Sequence, residues 1–129
     1  MDKTKSITPS PFLELLGIKV EKAIYPHCRL TLALNEKLVN PMGTLHGGVI
    51  SSLVDAALGS ALLSKKEVKG IATLELKVNY FKAVTGGVVV AEGEIIHCRG
   101  TVTFGQARIY CENEMVAQGS ATVKIFLNE

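Results

Sequence analysis

The chain has 129 residues, of which 47% are hydrophobic and 20% charged, and its formal net charge at pH 7 is +2. This length and composition predict one compact, soluble domain over residues 1–129. So small a net charge gives no support for a nucleic-acid partner.

Cysteine usage indicates the compartment. The chain has three cysteines, Cys28, Cys98 and Cys111, which is an odd number. They have neither CxxC nor metal-ligand spacing. The N-terminal sequence MDKTKSITPS lacks a signal-peptide pattern. We therefore expect reduced thiols in a cytoplasmic protein.

The first predicted element is a short helix in the segment SPFLELLG. Ser10 can cap it, Pro11 suits its first position and Gly17 can end it. Residues 1–8, which precede it, are polar and are expected to be frayed.

Two strands are predicted next, at about 18–24 and 28–34, with a turn at 25–27 between them. Leucines alternate with other residues in the second strand, as expected for a half-buried strand. A loop with a short turn of helix is predicted over residues 35–45.

A long central helix is predicted from about residue 47 to residue 64. It is apolar nearly all round, and we therefore expect it to be buried nearly all round. The apolar run is shorter than the ~20 residues of a membrane span and carries Asp55, so no membrane partner is expected.

Four further strands are predicted, because the hydrophobic period changes to two after Gly70. They cover TLELKVNY and then approximately 88–99, 102–111 and 115–127, joined by short connections. The short connections predict an antiparallel meander, and small residues on one face of the last strand would let a helix approach closely. The predicted fold class is α+β, with a strongly curved antiparallel sheet wrapped around one long central helix.

Asp55 is the most informative residue of the central helix. A buried carboxylate is costly unless it is paired or functional, and no lysine or arginine of this helix can pair with it. Without a function, Asp55 would point out of the helix into solvent or bond to Ser51 or Ser52. On the residues alone, both interpretations stay open.

His46, Gly47 and Gly48 lie at the start of the same helix. Backbone N–H groups at a helix N-terminus lack partners within the helix and can polarise a carbonyl oxygen. An acid two turns further along suits acyl transfer. Gly47 and Asp55 are ~12 Å apart along the axis, however, so the acid would have to come from a second copy of the chain. That separation implies a homodimer with composite sites.

The segment NPMGTLHGGVISSLVDAALGSAL resembles the signature of hotdog-fold acyl-CoA thioesterases, specifically the phenylacetate-pathway (PaaI-like) branch. In that branch an asparagine precedes HGG, and an aspartate follows eight residues after the first glycine. Asn40, Gly47 and Asp55 match this spacing. The strand GIATLELKVNYFKAV is also similar to the third strand of the family.

This resemblance implies hydrolysis of acyl-CoA thioesters, with a carbonyl polarised by the Gly47 N–H. Asp55 of the neighbouring subunit would act as nucleophile or as general base. Asn40 would position the attacking group or the thioester, and His46 would shape the loop beside the carbonyl. Thr73 would orient the hydrolytic water, although simple alternation turns it away from the helix unless a bulge intervenes.

Coenzyme A is then part of the substrate, and no other cofactor is expected. Lys82 and Arg99 would contact its phosphates, and Tyr80 would also bind the substrate or coenzyme A. The resemblance further implies an obligate homodimer that doubles into a homotetramer. We expect no metal site, because the three histidines lie on different elements.

Two alternatives remain open. One is a hotdog hydratase or dehydratase, which typically pairs a catalytic histidine with an acid in a differently built site. The other is a non-catalytic acyl-CoA-binding protein, although 129 residues leave no room for an output element. The acyl group, the exact role of Asp55 and the arrangement of a tetramer cannot be derived from the sequence.

Overall fold

The computed structural model describes Ile7 and residues 9–128. The prediction that residues 1–8 are frayed therefore lies, apart from Ile7, outside the described residues. The helices and strands are, in chain order, α1 (Pro11–Leu16), β1 (Ile18–Ile24), β2 (His27–Ala33), a short 3₁₀ turn (Glu36–Leu38), α2 (Gly47–Leu63), β3 (Val68–Tyr80), β4 (Val88–Arg99), β5 (Val102–Cys111) and β6 (Glu114–Leu127).

The predicted α+β fold class is confirmed. Six strands form one sheet in the order β1-β2-β4-β5-β6-β3, and every pairing is antiparallel. The sheet wraps around α2, which contacts all six strands. No helix among the described residues is long and apolar enough to cross a membrane.

The predicted meander holds only for β4, β5 and β6. β3 pairs with β6 at the edge of the sheet, whereas β4 pairs with β2 and β5. Residues 81–87 make this crossing, because seven extended residues reach ~23 Å and three strand spacings need only ~14 Å. A short connection therefore does not require its two strands to be neighbours.

Both ends of the helix α1 are formed by the residues that the sequence predicts. The Ser10 side chain accepts a hydrogen bond from Leu13 N, Pro11 occupies the first turn, and Gly17 has φ +83 at the C-terminus. A left-handed residue at that position closes a helix with little strain only when it is glycine.

Glycines of the sheet set the distance between the sheet and α2. A Cβ on Gly119 would lie 2.8 Å from Val54 Cγ1, and one on Gly105 would lie 2.8 Å from Leu58 Cδ2. The small residues of β6 thus face the helix, as predicted, and the helix packs directly against backbone at these points.

The prediction that α2 is buried nearly all round is wrong along one stripe. Most of its residues are buried, but Gly48 is exposed and Ser51, Ser52 and Asp55 are half-buried. These side chains are small or polar, and they lie beside the edge strand β3. The open stripe therefore marks the place where α2 can meet a ligand or another chain.

Candidate active site

The N-terminus of α2 is capped by the residue that precedes it. His46 Nδ1 accepts a hydrogen bond of 2.8 Å from Gly48 N, so a neutral His46 carries its proton on Nε2. The Gly47 N–H, by contrast, has no acceptor within the part of the chain that the structure describes. One backbone donor thus remains at the start of α2, as an oxyanion-type site requires.

Tyr80 closes one side of this helix start. Its hydroxyl donates to Ser51 Oγ over 2.5 Å and lies 3.1 Å from Gly47 O, the carbonyl to which Ser51 donates. A Cβ on Gly47 would be 3.4 Å from the Tyr80 ring. The structure therefore brings Tyr80, expected at a substrate contact, directly against Gly47.

Asp55 accepts a hydrogen bond from Thr73. The distance between Thr73 Oγ1 and Asp55 Oδ1 is 2.6 Å. The Ser51 and Ser52 hydroxyls instead donate to the backbone carbonyls of Gly47 and Gly48, so neither serine is the partner of Asp55. One carboxylate oxygen is thus held by β3, and the other has no hydrogen bond among the described residues.

A β-bulge explains how Thr73 reaches the helix. The register of β3 against β6 shifts between Thr73 and Glu75. Since each bulge inserts one residue, Thr73 and Leu76 both fall on the helix side. Simple alternation, which turns Thr73 away from the helix, predicts Leu74 on the helix side. That prediction is wrong, because Leu74 is the extra residue of the bulge and is 59% exposed.

A pocket of about 300 Å³ opens beside Asp55, between α1, α2 and β3. Its walls include Phe12, Leu13, Asp55, Gly59, Ser60 and Ile71. No sequence pattern connected α1 with the site. In the structure, none of the residues of α1 is buried.

Two large leucines of α2 lie away from this pocket. Leu53 and Leu58 are fully buried in the core between α2 and the sheet, and neither lines this pocket. Helix periodicity placed them correctly on an apolar face, but that face packs on the sheet.

Asn40 braces the loop before α2. Its Oδ1 accepts from Met42 N and Thr44 N over 3.0 and 3.1 Å, and its Nδ2 donates to Thr44 Oγ1 over 2.7 Å. These bonds fix the loop that carries His46. Among the described residues, no hydrogen bond joins Asn40 to Gly47 or Asp55.

The two expected phosphate contacts lie at opposite ends of the sheet. Lys82 follows Tyr80 and forms an ion pair of 2.7 Å with Glu114, which raises the pKa of Lys82 through that hydrogen bond and charge. Arg99 on β4 is in register with Val102, Lys124 and Ala72 on the next three strands. Ala72 directly precedes Thr73 in the chain. Lys82 therefore belongs to the Gly47 end, and Arg99 to the Asp55 end.

The cysteines offer no competing nucleophile at two of their three positions. Burial raises the pKa of Cys28 to about 12 and also raises that of Cys111, so both thiols are protonated at neutral pH. All three cysteines are free. Among the described residues, no group of three or more His, Cys, Asp or Glu could hold a metal ion.

The sequence that forms this site matches a known protein family. Residues 42–118, which contain α2 and the strands β3, β4 and β5, match the thioesterase superfamily. A "putative esterase" of Saccharolobus solfataricus is 40% identical over 81 residues, which are 63% of this chain and 54% of that protein. The matched segment thus spans about half the length of that relative.

Two further matches extend over more of the chain. The 1,4-dihydroxy-2-naphthoyl-CoA hydrolase of Listeria monocytogenes is 29% identical over 104 residues, covering 78% of this chain and 83% of that protein. A conserved protein of Pseudomonas aeruginosa has a structure that superimposes with a TM-score of 0.86 and 27% identity, covering 92% of this chain and 95% of that one.

Proposed function

The chain belongs to the thioesterase superfamily and has its hotdog fold, and from this premise we propose that it hydrolyses acyl-CoA thioesters to a free acid and coenzyme A. The observation that carries the proposal is the Asp55 carboxylate, held by Thr73 at the wall of an apolar pocket. A hydrolase that acts on an acyl group needs an attacking group or base beside such a pocket.

The site is composite, built from two copies of the chain. Gly47 and Asp55 are ~12 Å apart along α2, so they cannot act on one carbonyl from a single helix. The free Gly47 N–H of one copy binds the carbonyl oxygen, and Asp55 of the other copy faces the carbonyl carbon.

Asp55 acts in one of two ways. As a nucleophile, its free carboxylate oxygen bonds to the carbonyl carbon, the C–S bond breaks, and water then hydrolyses the resulting anhydride. As a general base, it takes a proton from a water that attacks the carbon directly, and that proton passes to the departing thiolate. The Thr73 hydrogen bond orients the carboxylate in either case.

The dimer forms through the edge strand β3. This strand has 13 residues, and among the described residues it pairs with β6 alone, so the outer edge of residues 70–80 faces no other strand there. Leu74 and Leu76 are exposed on it. A long apolar edge strand is a site for pairing with another chain, and antiparallel pairing of two β3 strands sets the Gly47 end of one copy beside the Asp55 end of the other. A further doubling into a homotetramer belongs to the same proposal.

Coenzyme A lies between the two copies in this arrangement. Tyr80 and Lys82 come from the copy that supplies Gly47, and Arg99 comes from the copy that supplies Asp55. Lys82 exchanges Glu114 for a phosphate when coenzyme A binds, since the nucleotide end is strongly anionic. No other cofactor is required.

His46 argues against the hydratase alternative. The Nδ1 atom of His46 is occupied by the Gly48 N–H, so its role in the free protein is to cap α2 and to shape the loop that Asn40 braces. The spacing of Asn40, Gly47 and Asp55 favours the phenylacetate-pathway branch. The free cysteines suit a cytoplasmic location.

The proposal is tested by thiol release from a panel of acyl-CoA esters: phenylacetyl, hydroxyphenylacetyl, benzoyl and straight chains of increasing length. Wild type and Asp55→Asn are compared. Because an asparagine oxygen still accepts the Thr73 hydroxyl, the variant should fold normally while losing turnover by about 10²-fold or more. Equal turnover by both proteins would exclude Asp55 as the nucleophile or general base. Tight binding without any turnover would indicate an acyl-CoA-binding protein instead.

A further inference from the structure

The pocket beside Asp55 contains a hydroxyl that the fold does not use. Ser60 lies on α2, is only 5% exposed, and lines this pocket. Its Oγ has no hydrogen-bond partner among the described residues, whereas the hydroxyls of Ser51, Ser52 and Ser64 each donate to a backbone carbonyl. No polar side-chain atom of a described, unexposed residue is both sealed from solvent and unpaired. The Ser60 hydroxyl must therefore open into the pocket.

The surroundings of Ser60 define what could bind it. Phe12, Leu13 and Ile71 are apolar, and a Cβ on Gly59 would lie 2.6 Å from Ile71 Cδ1. The pocket is therefore largely apolar, and of the polar side chains that line it, Ser60 is the one without a hydrogen-bond partner among the described residues. Unpaired hydroxyls in such an environment are disfavoured, so a ligand that pairs with Ser60 gains a hydrogen bond without disrupting one in the protein.

We propose that Ser60 is a specificity-determining residue, which hydrogen-bonds a hydroxyl group at the far end of the acyl chain. This inference rests on the proposed function, in which the thioester carbonyl lies at Asp55. Ser60 follows Asp55 by five positions, or ~7.5 Å along the helix axis. The matching substrate is a compact acyl group with an apolar body and a hydroxyl at about that distance from its carbonyl, such as a hydroxylated aromatic acid.

Protein stability gives a first test that does not depend on activity. Ser60→Ala removes a hydroxyl with no partner in the free protein, so its Tm should equal or exceed that of wild type. Ser64→Ala is the matched control at the C-terminal cap of the same helix, because the Ser64 hydroxyl donates to Ala61 O over 2.6 Å and accepts from Tyr25 N over 2.8 Å. The control should lower the Tm. An equal loss in Ser60→Ala would mean that the fold uses this hydroxyl, and would overturn the proposal.

Substrate preference gives the second test. The kcat/KM values of wild type and Ser60→Ala are measured on phenylacetyl-CoA, 3-hydroxyphenylacetyl-CoA and 4-hydroxyphenylacetyl-CoA. Wild type should prefer at least one hydroxylated ester by about five- to tenfold, the value of one neutral hydrogen bond. Ser60→Ala should bring that ratio close to one, because the loss of the hydroxyl falls on the hydroxylated ester.

Two results would contradict the role of Ser60: no preference in wild type, or an equal loss on all three esters in the variant. Absence of turnover by wild type on every ester would be a failure of the proposed function and not of this inference. In that case calorimetry gives the Kd of each of the three esters for both proteins. Wild type should bind at least one hydroxylated ester about five- to tenfold more tightly than phenylacetyl-CoA, and Ser60→Ala should bind all three about equally.

Discussion

Gly47 acts through its backbone, and proline can remove that N–H without breaking the helix. Gly47 is the first residue of α2, a position at which proline is favoured. His46 has φ −61 and ψ 134, an extended conformation of the kind that a following proline requires. We expect Gly47→Pro to fold and to lose kcat by about 10²- to 10³-fold, the value of one oxyanion donor.

Gly47→Ala is the matched control for this change. It adds a Cβ at the same place, 3.4 Å from the Tyr80 ring, but keeps the N–H. Steady-state kinetics and circular dichroism of both variants measure the effect. Equal loss in the two variants would mean that space beside Tyr80, and not the N–H, is what the substrate needs.

At the scale of elements, the contact between β6 and α2 limits what can replace Gly119. A Cβ there would lie 2.7 Å from Lys77 O and 2.8 Å from Val54 Cγ1, and neither the backbone nor the core can yield freely. We expect Gly119→Ala to lower the free energy of unfolding by about 1–3 kcal/mol, measured by urea denaturation.

Gly86 provides the comparison for that substitution. A Cβ on Gly86 would meet no atom within 4 Å, and its φ is not positive. Gly86→Ala should therefore leave stability unchanged or raise it slightly by restricting the unfolded chain. A similar loss of unfolding free energy in both variants would show that the cost comes from replacing a flexible glycine, and not from the close approach of the helix.

Sequence patterns predicted the bounds of the helices and strands well, but they predicted less well which strands pair in the sheet. The bounds of α2, β4 and β5 follow from caps and alternation, and the structure differs from them by one residue at most. The position of β3 was missed because residues 81–87 are long enough to cross the sheet. The side on which Leu74 lies was missed because one bulge reverses the alternation, and a bulge leaves no clear mark in the sequence.

The site was predictable where a residue type is unusual in its place. Asp55 and the glycines at 47 and 48 stand out in an apolar helix, and the structure pairs Asp55 with Thr73 and the Gly48 N–H with His46. Ser60 does not stand out, because small residues are common in a packed helix. Ser60 differs from the other serines of α2 because its hydroxyl has no hydrogen-bond partner among the described residues, and only the three-dimensional structure reveals this.

For the whole molecule, the edge strand β3 predicts how two copies meet. Leu76 is on the helix side of β3 and is 37% exposed. Leu76→Lys would place a charge within an apolar interface, so we expect it to shift the dimer towards monomer and to lower activity in proportion. Sedimentation at several concentrations measures this.

Val88→Lys serves as the control for the loss of the dimer. Val88 is also exposed, but it lies at the start of β4, away from the β3 edge. This variant should remain a dimer with unchanged turnover. Dissociation by both substitutions, or by neither, would contradict an interface built on β3.

The composite site is tested most directly by mixing two inactive variants. Gly47→Pro retains Asp55, and Asp55→Asn retains the Gly47 N–H, so a dimer with one copy of each contains one complete site. After the two proteins are dissociated together and reassembled, random pairing should restore about a quarter of wild-type turnover. A mixture no more active than its separate components would mean that each chain must supply both groups itself, and would contradict the account.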